Sequence, residues 1–323
     1  MVNTLALEAG RNLDGFARVG LGVFPTPVHR LDRISEHLGA EIYIKRDDMT
    51  GLGLGGNKTR KLEFLLAEAL KQGCKTVFTT GGAQSNHAML TAAACNRLGL
   101  KPILVLKKRG VTENLGNRFL ETLMGTDVRY IDTDDYEDIY REMDAIGAAL
   151  GTKYYKIPCG GSNALGTLGY VDCAREIAAQ DGHFDHIVLA EGSGGTMAGM
   201  ALGAKLFLPG TKVHGMMVDT DPFDEITPRL MREAAELLKL DITVSQSDFT
   251  LRDMCGPGYA MPSSEGDAAV RLMAEKEGIF LDPVYTGKAF AGLIQMEAEG
   301  RFKPGEKVLF VHTGGAGGLF AVR

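Results

Sequence analysis

The sequence predicts an α/β protein built on parallel sheet, and three observations carry that reading. Short β-branched apolar runs alternate with helical periodicity along most of the chain. The 42 glycines among 323 residues, about twice average usage, recur where such runs end. A composition of 45% hydrophobic and 24% charged residues is that of a folded chain with a sizeable core. The length exceeds what one small core holds and implies two domains or one large one.

The first strand is EIYIKR, residues 41–46. After TGLGLGG comes a helix from Arg60 to Lys71, with Leu62, Leu65, Leu66, Ala69 and Leu70 as its inner face at i, i+3, i+4 spacing and Gly73 as its C-cap. TVFTT, PILVL, VRYID and KYYKIP then read as strands. Between them, SNHAMLTAAACNRLG, TENLGNRFLETLMG and DDYEDIYREMDAIGAALG read as helices. A second series follows: helix SNALGTLGYVDCAREIAAQ, strand HIVLA, helix GTMAGMALGAKLF, strand KVHGMMVD, two further helices, the apolar segment IFLDP, a helix from Gly287 and strand KVLFVH. No repeat or low-complexity linker separates the series. The boundary falls near residue 160, with a core shared by N- and C-terminal segments as the alternative.

A net charge of -6 with no long basic run argues against nucleic acid or an anionic membrane as partner and leaves small molecules. The five cysteines form no CxxC pair and leave one over, so neither a disulfide framework nor a zinc site is expected; they read as buried small hydrophobes in a reducing compartment. The N-terminus, MVNTLALEAGRNLDGF, carries acidic residues and no long apolar stretch, and no later segment is long and apolar enough to span a membrane, so a soluble cytoplasmic protein is expected. His183 and His186 lack a third ligand at metal-site spacing and read as exposed, so no metal is expected. Lys45, Lys61 and Lys71 read as solvated, and DTDDYED as a solvated helix start.

Ligands of open α/β sheets bind beyond the carboxyl ends of strands, where four Gly-rich junctions recur here. They are TTGGAQSNH, PCGGSNALG, AEGSGGTMAG and HTGGAGG. In the third, a strand runs through Gly192, Ser193, Gly194, Gly195 and Thr196 into a helix, an arrangement whose backbone N–H groups and hydroxyls suit a phosphate dianion. The glycines equally suit tight turns and close helix packing, and spacing does not choose between these readings. No GxxxxGK[ST] or intact GxGxxG supports a nucleotide triphosphate or dinucleotide. Lys58, at the junction of a glycine loop and a helix, suits a Schiff base with an aldehyde cofactor such as pyridoxal phosphate; the plain alternative is a solvated loop lysine.

Several segments in order, FPTPVHRLDRISEHLGAEIYIKRDDMTGLGLGGNKTRKLEFLLAEA, GGAQSNHA, IPCGGSNALGTLGYVDCAREI, GSGGTMAG, GPGYAMPSSEG, LDPVYTGKAFAGLI and FVHTGGAGGLF, resemble the family of 1-aminocyclopropane-1-carboxylate deaminase and D-cysteine desulfhydrase. The resemblance runs from about residue 24 to the C-terminus. It implies the tryptophan-synthase-β-like fold (fold type II of pyridoxal-phosphate enzymes), with two three-layer parallel-sheet domains. Residues 1–60 and 163–323 would form the larger, cofactor-binding domain and 61–162 the smaller, with the active site in the cleft between them and a homodimer as the assembly. It implies pyridoxal 5'-phosphate on Lys58, with Asn57, Asn86, Ser193, Gly194, Gly195, Thr196, Thr286 and Thr313 around the cofactor. Lys58, Ser85, Tyr259 and Tyr285 take the catalytic roles; Ser85, Asn86, His87, Gly161 and Tyr285 lie beside the substrate. His87 and His312 are kept out of the proton-transfer roles.

The implied reaction is β-elimination: the Lys58 amine takes the α-proton, the cofactor spreads the charge, a β-substituent leaves, and pyruvate and ammonia result. In cyclopropane deaminases the residue after DPVY is Glu and the second residue of HxGG is Leu; here Thr286 and Thr313 stand there, as in desulfhydrases. Two departures bear on the substrate. Met89 and Leu90 replace a usual Arg-Gln, and Ala316, Gly317 and Gly318 a common Ala-Pro-Ala. The apolar Met89 ranks neutral or thiol leaving groups above sulfonate. The expected activity is D-cysteine desulfhydration, with L-cysteate sulfo-lyase and cyclopropane-carboxylate deaminase as alternatives and a non-catalytic pyridoxal-phosphate binder as a reading from another class.

Overall fold

The computed structural model describes residues 4–180 and 182–322. Its strands are β1 (Val28–Arg30), β2 (Glu41–Lys45), β3 (Thr76–Thr79), β4 (Lys101–Lys107), β5 (Asp127–Ile131), β6 (Tyr154–Lys156), β7 (His186–Glu191), β8 (Lys212–Met217), β9 (Thr250–Asp253) and β10 (Lys307–Val311). The α-helices are α1 (Thr4–Asp14), α2 (Asp32–Leu38), α3 (Lys58–Lys71), α4 (Asn86–Leu98), α5 (Gly116–Leu123), α6 (Tyr136–Leu150), α7 (Ala164–Gln180), α8 (Gly195–Phe207), α9 (Phe223–Leu237), α10 (Ser264–Glu277), α11 (Thr286–Ala298) and α12 (Ala316–Leu319).

Two sheets result. One has the order β5-β4-β3-β6 and is parallel throughout; the other has the order β1-β2-β10-β7-β8-β9, parallel except for β1 against β2. Alternation along the strands covers both faces of the larger sheet. Ile187, Leu189, Leu309 and Val311 join the core beneath α1, α7, α8 and α9, while Val188, Ala190, Val308 and Phe310 join that beneath α2, α10 and α11. In the smaller sheet Ile103 and Val105 pack toward α6, and Leu104 and Leu106 toward α4. Each sheet is therefore the middle of three layers.

Helix α3 departs from the amphipathic expectation. It begins at Lys58 rather than Arg60 and is buried on nearly every side, so Arg60, Lys61, Glu63 and Phe64 are as enclosed as Leu62, Leu65 and Leu66, while Leu70, expected inside, is 39% exposed. Gly73 ends it as expected, with φ of 73° and its N–H on Leu70 O. Lys45 and Lys61, expected in solvent, are fully buried. The Lys45 ammonium donates to Thr26 O at 2.8 Å, Gln180 Oε1 at 2.6 Å and Glu176 Oε1 at 2.5 Å. His186, also expected outside, lies between His214 Nε2 at 2.9 Å and Glu306 Oε2 at 3.0 Å, whereas His183 is exposed. IFLDP belongs to no helix or strand and its proline lies in a turn, and β1, β9, α1 and α2 are elements that the sequence reading did not mark.

Around Arg60 the two ends of the glycine loop meet α7. Its guanidinium donates to both oxygens of Asp47 at 2.8 Å and both of Glu176 at 2.9 Å, and the Tyr170 hydroxyl donates to Asp47 Oδ2 at 2.5 Å. Burial pushes the Asp47 carboxyl up, but the Arg60 guanidinium, helped by Tyr170 and Lys45, holds it below its ordinary value. Removing one partner from such a network strands a buried charge. Asp47→Ala is therefore expected to lower stability by about 3–5 kcal/mol; urea denaturation of wild type and variant measures the loss, and a change below about 1 kcal/mol contradicts it.

Candidate active site

Four strand ends, those of β3, β6, β7 and β10, bring their Gly-rich junctions to one cavity between the sheets. Lys58 stands in its wall as the first residue of α3. The loop before it can turn so tightly because Gly55 has φ of 76° and passes the carbonyl of Asp48 so closely that a Cβ would lie 1.7 Å from that oxygen. Burial lowers the Lys58 pKa from 10.5 to about 8. About a tenth of the amine is thus neutral at pH 7, far more than for an ordinary lysine.

The end of β7 builds an anion cup. Gly194 has φ of 88° and leads into the N-terminus of α8, and a Cβ there would meet Ile226 Cγ2 at 2.5 Å. Three hydroxyls surround the turn: Ser162 and Ser193 are 3.0 Å apart, the Gly195 N–H donates to Ser162 Oγ at 3.1 Å, and Thr196 Oγ1 accepts from Asn57 Nδ2 at 2.9 Å. From α3, Lys61 reaches the same place, its ammonium 3.0 Å from Gly160 O and 3.3 Å from Ser162 Oγ. Burial and the neighbouring Lys58 hold the Lys61 pKa well below its ordinary value, a cost that a bound anion would relieve. Glu191 completes the cup. Its Oε1 accepts from the Gly194 N–H at 2.6 Å, its Oε2 is buried without a partner, and burial raises its pKa to about 7.

Opposite walls carry the remaining groups. Ser85 caps α4, accepting from the Ala88 N–H at 3.2 Å, and Asn86 Oδ1 accepts from Asn117 Nδ2 at 2.7 Å. Thr79 donates its hydroxyl hydrogen to Ile157 O, so His87 Nε2–H donates to Thr79 Oγ1 at 2.8 Å. That leaves His87 Nδ1 a buried acceptor with no partner, on a ring that burial and the nearby Lys58 and Lys61 keep neutral. Tyr259 and Tyr285 share a hydrogen bond of 2.6 Å, and burial raises both phenols, so both stay protonated.

Of the residues singled out from the sequence, Asn57, Lys58, Ser85, Asn86, His87, Ser193, Gly194, Thr196, Tyr259, Tyr285 and Thr313 line the cavity. Gly161, Gly195 and Thr286 stand behind the wall. Gly161 packs on His87 and Leu65, Gly195 on Ser162 and Lys61, and the buried Thr286 hydroxyl donates to Asp282 Oδ1 at 2.7 Å. Met89 and Leu90 lie in the apolar core beneath the smaller sheet, away from the cavity. His312 is a structural residue, its Nε2–H on Phe280 O at 3.1 Å.

Sequence reasoning passed over Lys107, Arg109, Tyr136, Glu191 and Asp219, and took Lys61 for a solvated residue. Cys159, expected as a buried hydrophobe like the other four, is half-buried in the cavity wall and accepts from the Tyr136 hydroxyl at 3.2 Å. Lys107, Glu191 and Asp219 sit at or just beyond the carboxyl ends of β4, β7 and β8, a signal present in the sequence but obscured by attention to glycines.

The residues fit pyridoxal phosphate on the evidence of the cavity itself: a buried lysine near neutrality, a cup of backbone N–H groups, hydroxyls and an ammonium, and buried polar atoms still without partners. The family model described as pyridoxal-phosphate dependent enzyme matches residues 19–314, and the chain belongs to that family. Within it, the chain falls in the D-cysteine desulfhydrase/cyclopropane-carboxylate deaminase branch of fold type II, and it is a pyridoxal-phosphate-dependent lyase. It is 46% identical over 322 residues to a D-cysteine desulfhydrase of Klebsiella pneumoniae, covering 96% of this chain and 98% of that one. It is likewise 46% identical over 317 residues to one of Yersinia enterocolitica, covering 95% and 96%. The crystal structure of an ACC deaminase homologue superposes with a TM-score of 0.90 at 43% identity, covering 97% of this chain and 96% of that one.

The Lys58 pKa has a measurable consequence. Reductive labelling of cofactor-free protein by pyridoxal and cyanoborohydride, read at Lys58 by peptide mapping, is expected to rise through a midpoint near pH 8 and to level off by about pH 9, because the neutral amine is the nucleophile. A yield still climbing steeply above about pH 9, as for an ordinary lysine, contradicts the buried setting.

Proposed function

We propose that the protein eliminates the β-sulfur of a cysteine-like amino acid, D-cysteine first, giving pyruvate, ammonia and sulfide. The observation that carries this reading is that one cavity holds both a base and an acid: Lys58, whose pKa falls to about 8, and the Tyr259–Tyr285 pair, held protonated. The names of the 46% identical relatives support the substrate.

Bound pyridoxal phosphate supplies an aldehyde carbon and an electron-withdrawing ring that weakens the bond between the substrate's Cα and its hydrogen. The cup of Ser162, Ser193, Thr196, Lys61 and the α8 N-terminus would hold its phosphate, and Lys58 its aldehyde. Around it, this chain's own groups divide the work. Backbone N–H groups at the start of α4, with Ser85 and Asn86, orient the substrate carboxylate. The Lys58 amine receives the α-proton. The tyrosine pair donates a proton to the departing sulfur, and its raised pKa keeps that proton available across the physiological range.

Further parts of the reading rest on other support. Strand membership supports a division into 1–60 with 163–323 and 61–162, since the larger sheet draws on residues 28–45 and 186–311 and the smaller on 76–156. Five free cysteines support a reducing, cytoplasmic compartment, and family membership supports a homodimer. Among the described residues no helix is long and apolar enough to cross a membrane. Cyclopropane ring opening is the second reading, favoured by the solved homologue but opposed by Thr286, which stands where the deaminases have Glu, and by Thr313, where they have Leu.

Pyruvate and sulfide release from D-cysteine is expected to exceed release of 2-oxobutanoate and ammonia from the cyclopropane amino acid, and Lys58→Ala to reduce it about 10³-fold. Cyclopropane turnover faster than that of D-cysteine favours the deaminase, and cofactor binding without turnover of either leaves only a cofactor-binding protein.

A further inference from the structure

We infer that Arg109 is a specificity-determining residue that receives a negatively charged β-substituent of the substrate. The inference rests on the lyase reading above and concerns the same cavity. Met89 lies in the core, away from the cavity, and the cavity wall carries two cations besides Lys58, namely Lys107 and Arg109, both near the end of β4. Lys107 is committed. Its ammonium donates to Asp134 O at 2.6 Å and lies 3.6 Å above the Tyr136 ring.

Arg109 is not. Its backbone is fixed, since Arg109 O accepts from the Ala83 N–H at 2.9 Å and Gly81 O accepts from the Lys107 N–H at 2.9 Å, which ties this segment to the junction that carries Ser85. Its guanidinium carbon lies 5.1 Å from the centroid of the Tyr259 ring, the ring whose hydroxyl is bonded to Tyr285. Two carboxylates, Asp134 and Asp219, stand 3.8 Å from it, close enough to hold it by charge and too far for a hydrogen bond. Among the described residues the guanidinium makes no hydrogen bond, so its fork of donors remains open to a ligand.

A substituent that leaves the substrate's β-carbon past the tyrosine pair meets this fork. Guanidinium to sulfonate or carboxylate is a planar, charge-assisted match. Asp219 competes for the same guanidinium, and so sets how strongly an incoming anion is held.

S-sulfocysteine is the probe, because its sulfonate lies one sulfur beyond the β-carbon. In its elimination the Cα proton goes to the base, the Cβ–S bond breaks with its electrons on sulfur, and thiosulfate leaves. The overall balance is S-sulfocysteine plus water giving pyruvate, ammonium, thiosulfate and a proton. β-Chloroalanine is the control: it undergoes the same elimination but its substituent is uncharged. Both enantiomers of each are assayed for pyruvate with the holoenzyme.

Wild type is expected to have a lower KM for S-sulfocysteine than for β-chloroalanine. Arg109→Gln should raise the first KM about tenfold, with less than about twofold change in the second and little change in either kcat, and Arg109→Lys should recover part of the loss. Asp219→Asn should move the S-sulfocysteine KM the opposite way. Equal effects on the two substrates, or a wild type that consumes β-chloroalanine but not S-sulfocysteine, overturn the inference and leave the lyase reading standing. Absence of pyruvate from both compounds brings down the lyase reading, and the inference with it.

Discussion

The position of Lys58 depends on an ion network that Lys58 does not join. Arg60, one turn's edge away on α3, is clamped by Asp47 from before the glycine loop and by Glu176 from α7, with Phe24 stacked 4.4 Å from its guanidinium carbon. Both ends of the loop are thereby fixed to one helix of the larger sheet's core. A flexible glycine segment alone would leave a reactive lysine free to wander; here its flexibility is spent on passing Asp48 O, and the network sets where α3 begins. Buried ion networks add little net stability, because desolvation offsets the attraction. What this one contributes is position.

The second organising feature is the crowding of charge at the cup. Lys58 and Lys61 are three apart on one helix and both enclosed, so burial makes each harder to protonate and Lys58 adds to the effect on Lys61, while Glu191 is the buried carboxyl that opposes it at both. The arrangement asks for an anion near Lys61 and a neutral amine at Lys58. One compact ligand with a phosphate at one end and an aldehyde at the other meets both demands. Family membership and local electrostatics therefore reach the same cofactor by separate routes.

Much of this was legible in the sequence. The strand–helix alternation marked both sheets, and the four glycine-rich junctions marked the strand ends that meet at the cavity. What escaped has physical reasons. Lys61 was misread because amphipathic periodicity assumes one wet face, and α3 has none of any size between the two cores; Lys45 was misread because its partners at the end of β2, Glu176 and Gln180, are distant in sequence. His186 was judged by metal spacing, although its partners, His214 and Glu306, are distant in sequence. Arg109 and Asp219 follow strands whose ends lack a glycine run, so their place just beyond a strand end was overlooked. Met89 was read as a cavity position when it is a core residue, which is why the search for a cation near the substituent had looked in the wrong place.

Thr286 shows how a site residue can matter without touching the ligand. Its hydroxyl donates to Asp282 Oδ1 and accepts from the Asp282 N–H at 2.8 Å, while Asp282 Oδ2 accepts from the N–H groups of Val284 and Tyr285, each at 2.9 Å. Burial raises the Asp282 carboxyl, and these donors work against that rise. The carboxylate thus closes a tight turn that starts α11 and ends in the backbone of Tyr285. A glutamate at residue 286 would bring a second carboxylate against Asp282, and the two could not both remain ionised without another cation. The threonine is therefore fixed as much by the turn that aims Tyr285 at Tyr259 as by the electronics of the cofactor, and the identity of the residue after DPVY carries information about both.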